Sequence, residues 1–206
     1  MQHTLPKSQI TKAKILAAAQ AEFSEKGYFG ARVDEIAEAA GVNKRMIYQH
    51  YESKDGLYKA ALLSVYRKLA ECEARFCVDN LDPALAIKNI VYTYFRFFEK
   101  NPSFVRMLLW ENLNYGRCID SEDVRRLKEP TINYIKEQLR RGRELSLFRD
   151  GADDYQVIVS IINFGFSYFS NIHTLSALFD KDMTDGAEIL KRAEHVSNLI
   201  LKDLLK

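Results

Sequence analysis

The sequence predicts an all-α protein of about nine helices, with an N-terminal three-helix head and a helical body. Apolar residues recur at the three- and four-residue spacing of amphipathic helices along most of the chain. Capping residues, prolines and glycines stand where these stretches begin and end. No segment of useful length alternates apolar and polar residues as a half-buried strand would. At 206 residues, the chain is long enough for one or two domains with a real core.

The first predicted helix begins near Ser8 and ends at Gly27, after Lys26, whose charge suits a helix C-terminus. One face of this helix is apolar at helical spacing, with Ile15, Leu16, Ala19 and Phe23.

Residues 32–51 have the spacing of a helix-turn-helix. Ala37 is small enough for two helices to cross closely, Gly41 permits the sharp turn, and Ile47 fills the crossing. The second of these helices, predicted over residues 43–51, would present its polar residues outward. This arrangement is typical of a DNA-binding head whose second helix reads the major groove.

The remaining elements follow from their capping signals. We predict two domains, at residues 1–55 and 56–206. Asp82-Pro83 and Asn101-Pro102 each mark the start of a helix. The further predicted helices are Ser53 to about Phe76, 83–100, 102–115, Ser121 to Gly142, 153–174 and 186–204. Pro130 lies inside one of them and should kink or restart it.

Composition and motifs argue against several classes of function. The formal net charge is +2, and residues 1–60 contain nine Lys and Arg against seven Asp and Glu, so DNA binding must depend on where the charges lie. The four histidines lack metal-ligand spacing, and neither a catalytic nucleophile with its base nor a phosphate-binding loop is evident. We therefore expect no enzyme activity, no metal site and no cofactor.

The expected compartment is the cytoplasm. Three cysteines without a Cys-x-x-Cys pair favour a reducing environment. The most apolar run, residues 157–169, is too short for a membrane span, and the first nine residues lack the apolar core of a signal peptide.

The first 60 residues resemble the TetR family of bacterial transcriptional regulators. The residues that carry the resemblance are Ile15-Leu16, Ala18-Ala19, Phe23, Gly27-Tyr28, Val33, Ile36-Ala37, Ala40-Gly41-Val42, Ile47-Tyr48, His50-Tyr51, Ser53-Lys54 and Leu57. The resemblance implies a helix-turn-helix head, a regulatory body that binds a small-molecule effector, and a homodimer. The apolar helix near 153–174 and the striped helix near 186–204 suit the dimer interface.

The resemblance and the chemistry of the side chains together predict the DNA contacts. Arg45 is the expected base reader, because a guanidinium can bond guanine O6 and N7 at once. Lys44 would read guanine or neutralise phosphate, and Met46 would touch a thymine methyl or pack inward. Phosphate or sugar contacts are expected from a further four residues: Arg32, Tyr48, His50 and Lys54. Arg32 stands where family members usually carry a capping Ser or Thr, so a helix cap should be missing there.

For the effector, we predict a pocket in the body with apolar walls and a few polar groups. The candidate residues are Phe95, Arg96, Met107, Trp110, Glu111, Asn163 and Phe164. The predicted function is a ligand-responsive regulator, most simply a repressor, that binds a palindromic operator in double-stranded DNA as a homodimer. The alternative is a DNA-bound adaptor or architectural protein whose body binds another protein. An exposed apolar patch on the predicted helices 83–100, 102–115 and 121–142 would favour this alternative.

Overall fold

The computed structural model describes residues 6–75, 77 and 81–206, which form ten α-helices. They are α1 Lys7–Gly30, α2 Val33–Ala40, α3 Lys44–Tyr51, α4 Lys54–Ala74, α5 Pro83–Lys100, α6 Pro102–Leu113, α7 Ser121–Glu144, α8 Asp154–Ser170, α9 Ile172–Phe179 and α10 Gly186–Leu204. The all-α prediction is confirmed, with ten helices where about nine were expected. The predicted end of the fourth helix near Phe76 lies outside the described residues.

The described residues group into two compact units. The first is drawn from Met1–Lys68 and Ser103–Val124, and the second from Leu69–Pro102 and Arg125–Lys206. In the part of the chain that the structure describes, no helix is long and apolar enough to cross a membrane.

The stretch predicted as one helix over 153–174 is two helices, because the chain breaks at Asn171. This residue has φ −113° and ψ 12°, outside the helical region, and its side-chain amide donates to the Ser167 carbonyl at 2.9 Å. Such local side-chain bonds compete with the helical ladder. The apolar pattern continues through the break, so periodicity alone could not reveal it.

Pro130 does not restart α7, which continues from Ser121 to Glu144. Proline removes one backbone donor from a helix. Here it lies on an exposed face, where solvent can reach the carbonyl that loses its partner.

In the first unit, α1 packs on α2, and α2 on α3. The ring of Phe23 meets that of Tyr58 edge to face at 4.9 Å, and both side chains are buried. Gly27 ends the regular part of α1, as predicted, with a φ of 67° that disfavours other residues. A Cβ there would lie 2.7 Å from the Trp110 ring, so glycine is required for space as well. The Trp110 indole N–H donates to the Ser24 carbonyl at 3.3 Å.

In the second unit, α5 packs against α8 and α10, and α8 packs against α10. Phenylalanine and tyrosine rings fill the space between α5 and α8. The ring of Phe95 lies 5.9 Å from those of Tyr168 and Phe169, and Phe98 lies 5.9 Å from Phe169. Gly165 on α8 allows this close packing, since a Cβ there would lie 3.1 Å from the ring of Phe98.

The second unit also contains a buried ion pair. Glu73 at the end of α4 is fully buried and pairs with Lys128 of α7. Its other carboxylate oxygen accepts from the Thr131 hydroxyl at 2.9 Å, while the Lys128 ammonium also donates to the Tyr94 hydroxyl at 3.0 Å. Burial lowers the pKa of Lys128 and raises that of Tyr94. The pair and its hydrogen bonds join α4, α5 and α7 inside the core of this unit.

Candidate nucleic-acid interface

The turn between α2 and α3 is built by Gly41. It adopts the left-handed conformation, φ 64° and ψ 37°, which glycine tolerates without strain. The Gly41 N–H donates to the Glu38 carbonyl, and the Val42 N–H to the Ala37 carbonyl, both at 3.0 Å. These two bonds form a Schellman motif, which ends α2 and aims the chain into the next helix.

The start of α3 is fixed by Asn43. Its side-chain oxygen accepts from the Arg45 backbone N–H at 2.8 Å, which satisfies one of the free donors at the helix start. Ile47 is completely buried, as is Ile36 of α2. These contacts hold the buried face of α3 against the head and leave its other face to solvent.

The residues predicted to contact DNA lie mainly on that solvent face. Arg45 and Lys44 are exposed, and Tyr48 is 40% exposed, while Met46 and His50 are half-buried. The Arg45 guanidinium makes no hydrogen bond or ion pair with any residue that the structure describes. It is therefore available to a base edge or a phosphate.

Lys44 has an internal partner. Its ammonium lies 2.9 Å from the Asp34 carboxylate of α2, and this hydrogen bond raises the pKa of Lys44. Both side chains are well exposed, so solvent screens the pair and its contribution to stability is small. Asp34 therefore partly neutralises the positive charge at the start of α3.

Lys54 and Arg32 lie at two other helix starts. The Lys54 ammonium donates to the Ala31 carbonyl at 2.6 Å and lies 4.8 Å from the centre of the Tyr28 ring. An ammonium has three donors, so this contact leaves others for a phosphate. Arg32 is exposed and precedes α2, which has no side-chain cap, as predicted.

One exposed residue of α3 was overlooked in the sequence prediction. Gln49 follows Arg45 by four residues, so the two share one face of the helix. A glutamine amide can bond adenine N6 and N7. Helical spacing counted from Arg45 would have found it.

Comparison with known protein families agrees with the helix-turn-helix geometry of this head. Residues 15–61 match the model described as bacterial regulatory proteins, tetR family, and residues 83–200 match the tetracyclin repressor-like C-terminal domain. The chain belongs to the TetR family. It is thus a DNA-binding transcriptional regulator and not an enzyme.

Relatives and solved structures agree with this assignment. The chain is 30% identical over 195 residues to the HTH-type transcriptional repressor NicS of Pseudomonas putida, covering 94% of this chain and 92% of the relative. It is 34% identical over 108 residues to the repressor SCO4008 of Streptomyces coelicolor, or 52% of this chain and 53% of that one.

A TetR family regulator from Marinobacter aquaeolei has a similar fold. The TM-score is 0.74 at 16% identity, over 96% of this chain and 97% of that chain. A TetR-like regulator from Rhodococcus has a TM-score of 0.70 at 19% identity, over 97% of each chain.

The residues predicted for an effector pocket are divided between the two units. In the first unit lie Met107 and Glu111, both buried, and half-buried Trp110. The Glu111 carboxylate accepts from the backbone N–H groups of Cys118 and Ile119 at 2.6 and 2.9 Å, so it anchors the loop after α6.

The other four residues belong to the second unit. Phe95 lies in the core among aromatic rings, and Arg96 is exposed on α5. Asn163 is exposed on α8, whereas Phe164 is half-buried and lines a groove beside α9 and α10. Arg96 lines a different groove, with Lys88 and Tyr92 of the same helix.

Proposed function

We propose that this TetR-family protein is a ligand-responsive repressor that binds a palindromic operator as a homodimer and leaves it when a small-molecule effector binds. The observation that carries this proposal is α3, whose capped start, buried Ile47 and unpaired Arg45 are those of a recognition helix. Two such helices, one from each protomer, would enter successive major grooves about 34–36 Å apart. Repression is proposed because two of its relatives are repressors.

The homodimer is proposed to form through α8 and α10. Apolar side chains are exposed on these helices and on α9 between them. The most exposed of them are Tyr155, Leu178, Phe179, Leu190 and Leu199. Exposed large apolar side chains on neighbouring helices support an interface between protein subunits there.

The adaptor hypothesis has weaker support. It expected an exposed apolar patch on the helices that correspond to α5, α6 and α7. In the described part of these predicted helices, the exposed large apolar side chains are Leu85, which belongs to the second unit, and Leu113 and Tyr115, which belong to the first.

The repressor proposal is tested by fluorescence anisotropy on DNA upstream of the protein's own gene, with excess random competitor. The wild type should bind specifically, and Arg45→Ala should lose about 1–3 kcal/mol of discrimination because a bidentate base contact is removed. Arg125→Ala is the matched control, since it removes an exposed arginine from α7. Binding no tighter than to the competitor, or equal losses in both variants, would count against α3 as the reader.

A further inference from the structure

The excess positive charge of the head comes from the start of α1. Residues 6–21 contain Lys7, Lys12 and Lys14 and no Asp or Glu, so the net charge of this stretch is +3. Residues 22–60 contain six Lys and Arg against seven Asp and Glu, which gives a net charge of −1. The helix-turn-helix and its surroundings therefore offer no excess positive charge of their own to a polyanion such as DNA.

The three lysines of α1 are exposed and unpaired. Their ammonium groups make no hydrogen bond or ion pair with any residue that the structure describes. Other lysines of the same unit are paired. Lys26 lies 3.0 Å from the carboxylate of Glu22. Lys59 lies 2.8 Å from that of Asp120. An exposed lysine without a partner is ordinarily solvated, so its position must decide whether it has a ligand.

Lys12 lies beside the recognition helix. The hydroxyl of Tyr51, the last residue of α3, donates to the Lys12 carbonyl at 3.4 Å. The Tyr51 ring in turn lies 6.3 Å from that of His50, which is expected to contact the DNA backbone. The start of α1 and the end of α3 therefore adjoin.

The lysines at 12 and 14 lie on opposite flanks of α1. Ile15 between these flanks is completely buried against the head. Two residues that are two positions apart lie about 200° apart around a helix. Because Tyr51 contacts the carbonyl of Lys12, α3 lies on the Lys12 flank. Lys14 carries the same charge on the same helix but points away from α3.

We propose that Lys12 binds a phosphate of the DNA backbone beside the major groove that α3 enters. That groove is about 12 Å wide and is bordered by phosphates, so a side chain next to the end of the recognition helix comes close to one strand. An ammonium binds phosphate as a point charge. Such a contact adds affinity and fixes position without reading sequence. This inference rests on the assignment of α3 as the recognition helix in the proposed function.

The test is the salt dependence of DNA binding, measured by fluorescence anisotropy on two duplexes of equal length. One is the DNA upstream of the protein's own gene, and the other has a random sequence. For each Lys12 that contacts DNA, Lys12→Gln should reduce the slope of log affinity against log salt by about 0.9 and weaken binding about fivefold at about 0.15 M salt, since fewer counterions are released. Both duplexes should show the loss, so their affinity ratio should not change.

Two variants control for charge and position. Lys14→Gln removes the same charge from the other flank of α1. At about 0.15 M salt, charges are screened beyond about 8 Å, so Lys14→Gln should change the slope by less than half as much. Lys12→Arg keeps the charge and should keep the slope of the wild type.

Three outcomes would overturn the proposal. The first is an equal change of slope in Lys12→Gln and Lys14→Gln, which would show that only the general field of α1 acts. The second is an unchanged slope in Lys12→Gln. The third is a loss of discrimination between the two duplexes in Lys12→Gln, as expected for Arg45→Ala, which would make Lys12 a base reader.

The same measurements separate this proposal from the proposed function. If Arg45→Ala loses discrimination while Lys12→Gln behaves as Lys14→Gln, the proposed function stands and the Lys12 contact is wrong. If the wild type binds both duplexes equally, the upstream DNA is not its operator. The comparison of Lys12→Gln with Lys14→Gln on the random duplex then decides the phosphate contact by itself.

Discussion

Replacing Lys128 with methionine should destabilise the second unit strongly. The change keeps much of the apolar stem but removes the ammonium that pairs with Glu73, which is fully buried. The carboxylate would keep the hydrogen bond from Thr131 and lose its charge partner. Removing one member of a buried ion pair costs about 3–5 kcal/mol, because the remaining charge is left uncompensated.

The free energy of unfolding would be measured by urea denaturation followed by helical circular dichroism, at one protein concentration because oligomers gain stability with concentration. Lys136→Met is the matched control, since Lys136 is exposed on the same helix. Its effect should stay within about 0.5 kcal/mol.

A double variant separates charge from packing. Glu73→Leu/Lys128→Met removes both charges, so it should recover most of the stability lost by Lys128→Met alone. If the double variant is as unstable as the single one, lost packing and not an unpaired charge is responsible.

Four changes in the head have smaller expected effects. Gly27→Ala should lower the free energy of unfolding, measured by urea denaturation, by about 1–3 kcal/mol, because the new Cβ would overpack against Trp110. Gly41→Ala should lower it by only about 1–2 kcal/mol. The φ of Gly41 is also positive, but a Cβ there would meet no atom within 4 Å. Asn43→Ala removes the cap of α3 and should cost about 1 kcal/mol. Asp34→Asn frees Lys44 and should tighten DNA binding in anisotropy at low salt, with the gain fading as salt screens the charge.

Local rules predicted the head from sequence because its determinants lie close together in the chain. Gly41 must turn the backbone, and Asn43 caps the helix only two residues before its donor. Ile47 of α3 fills the space where α3 crosses α2, and Ala37, which lets the two helices approach closely, is only ten residues earlier. Such short separations leave few alternatives to the fold.

Contacts between distant residues could not be predicted in this way. Glu73 and Lys128 are 55 residues apart, and each alone reads as a solvated charge on a helix. Trp110 is predicted to line an effector pocket, and its ring packs against Gly27, 83 positions earlier in the chain. The sequence alone did not predict that contact, because an aromatic side chain is compatible with either role.

The cations of the head are partly neutralised within the head itself. Lys26 pairs with Glu35, Lys44 with Asp34, and Lys54 donates to the Ala31 carbonyl. Among the described residues, the two arginines of residues 1–60, Arg32 and Arg45, have no such partner, and neither do Lys7, Lys12 and Lys14 of α1. A local charge excess of only two therefore still leaves two free guanidiniums, at the starts of α2 and α3. For this head, we therefore expect DNA binding to depend more on where the unpaired cations lie than on the net charge.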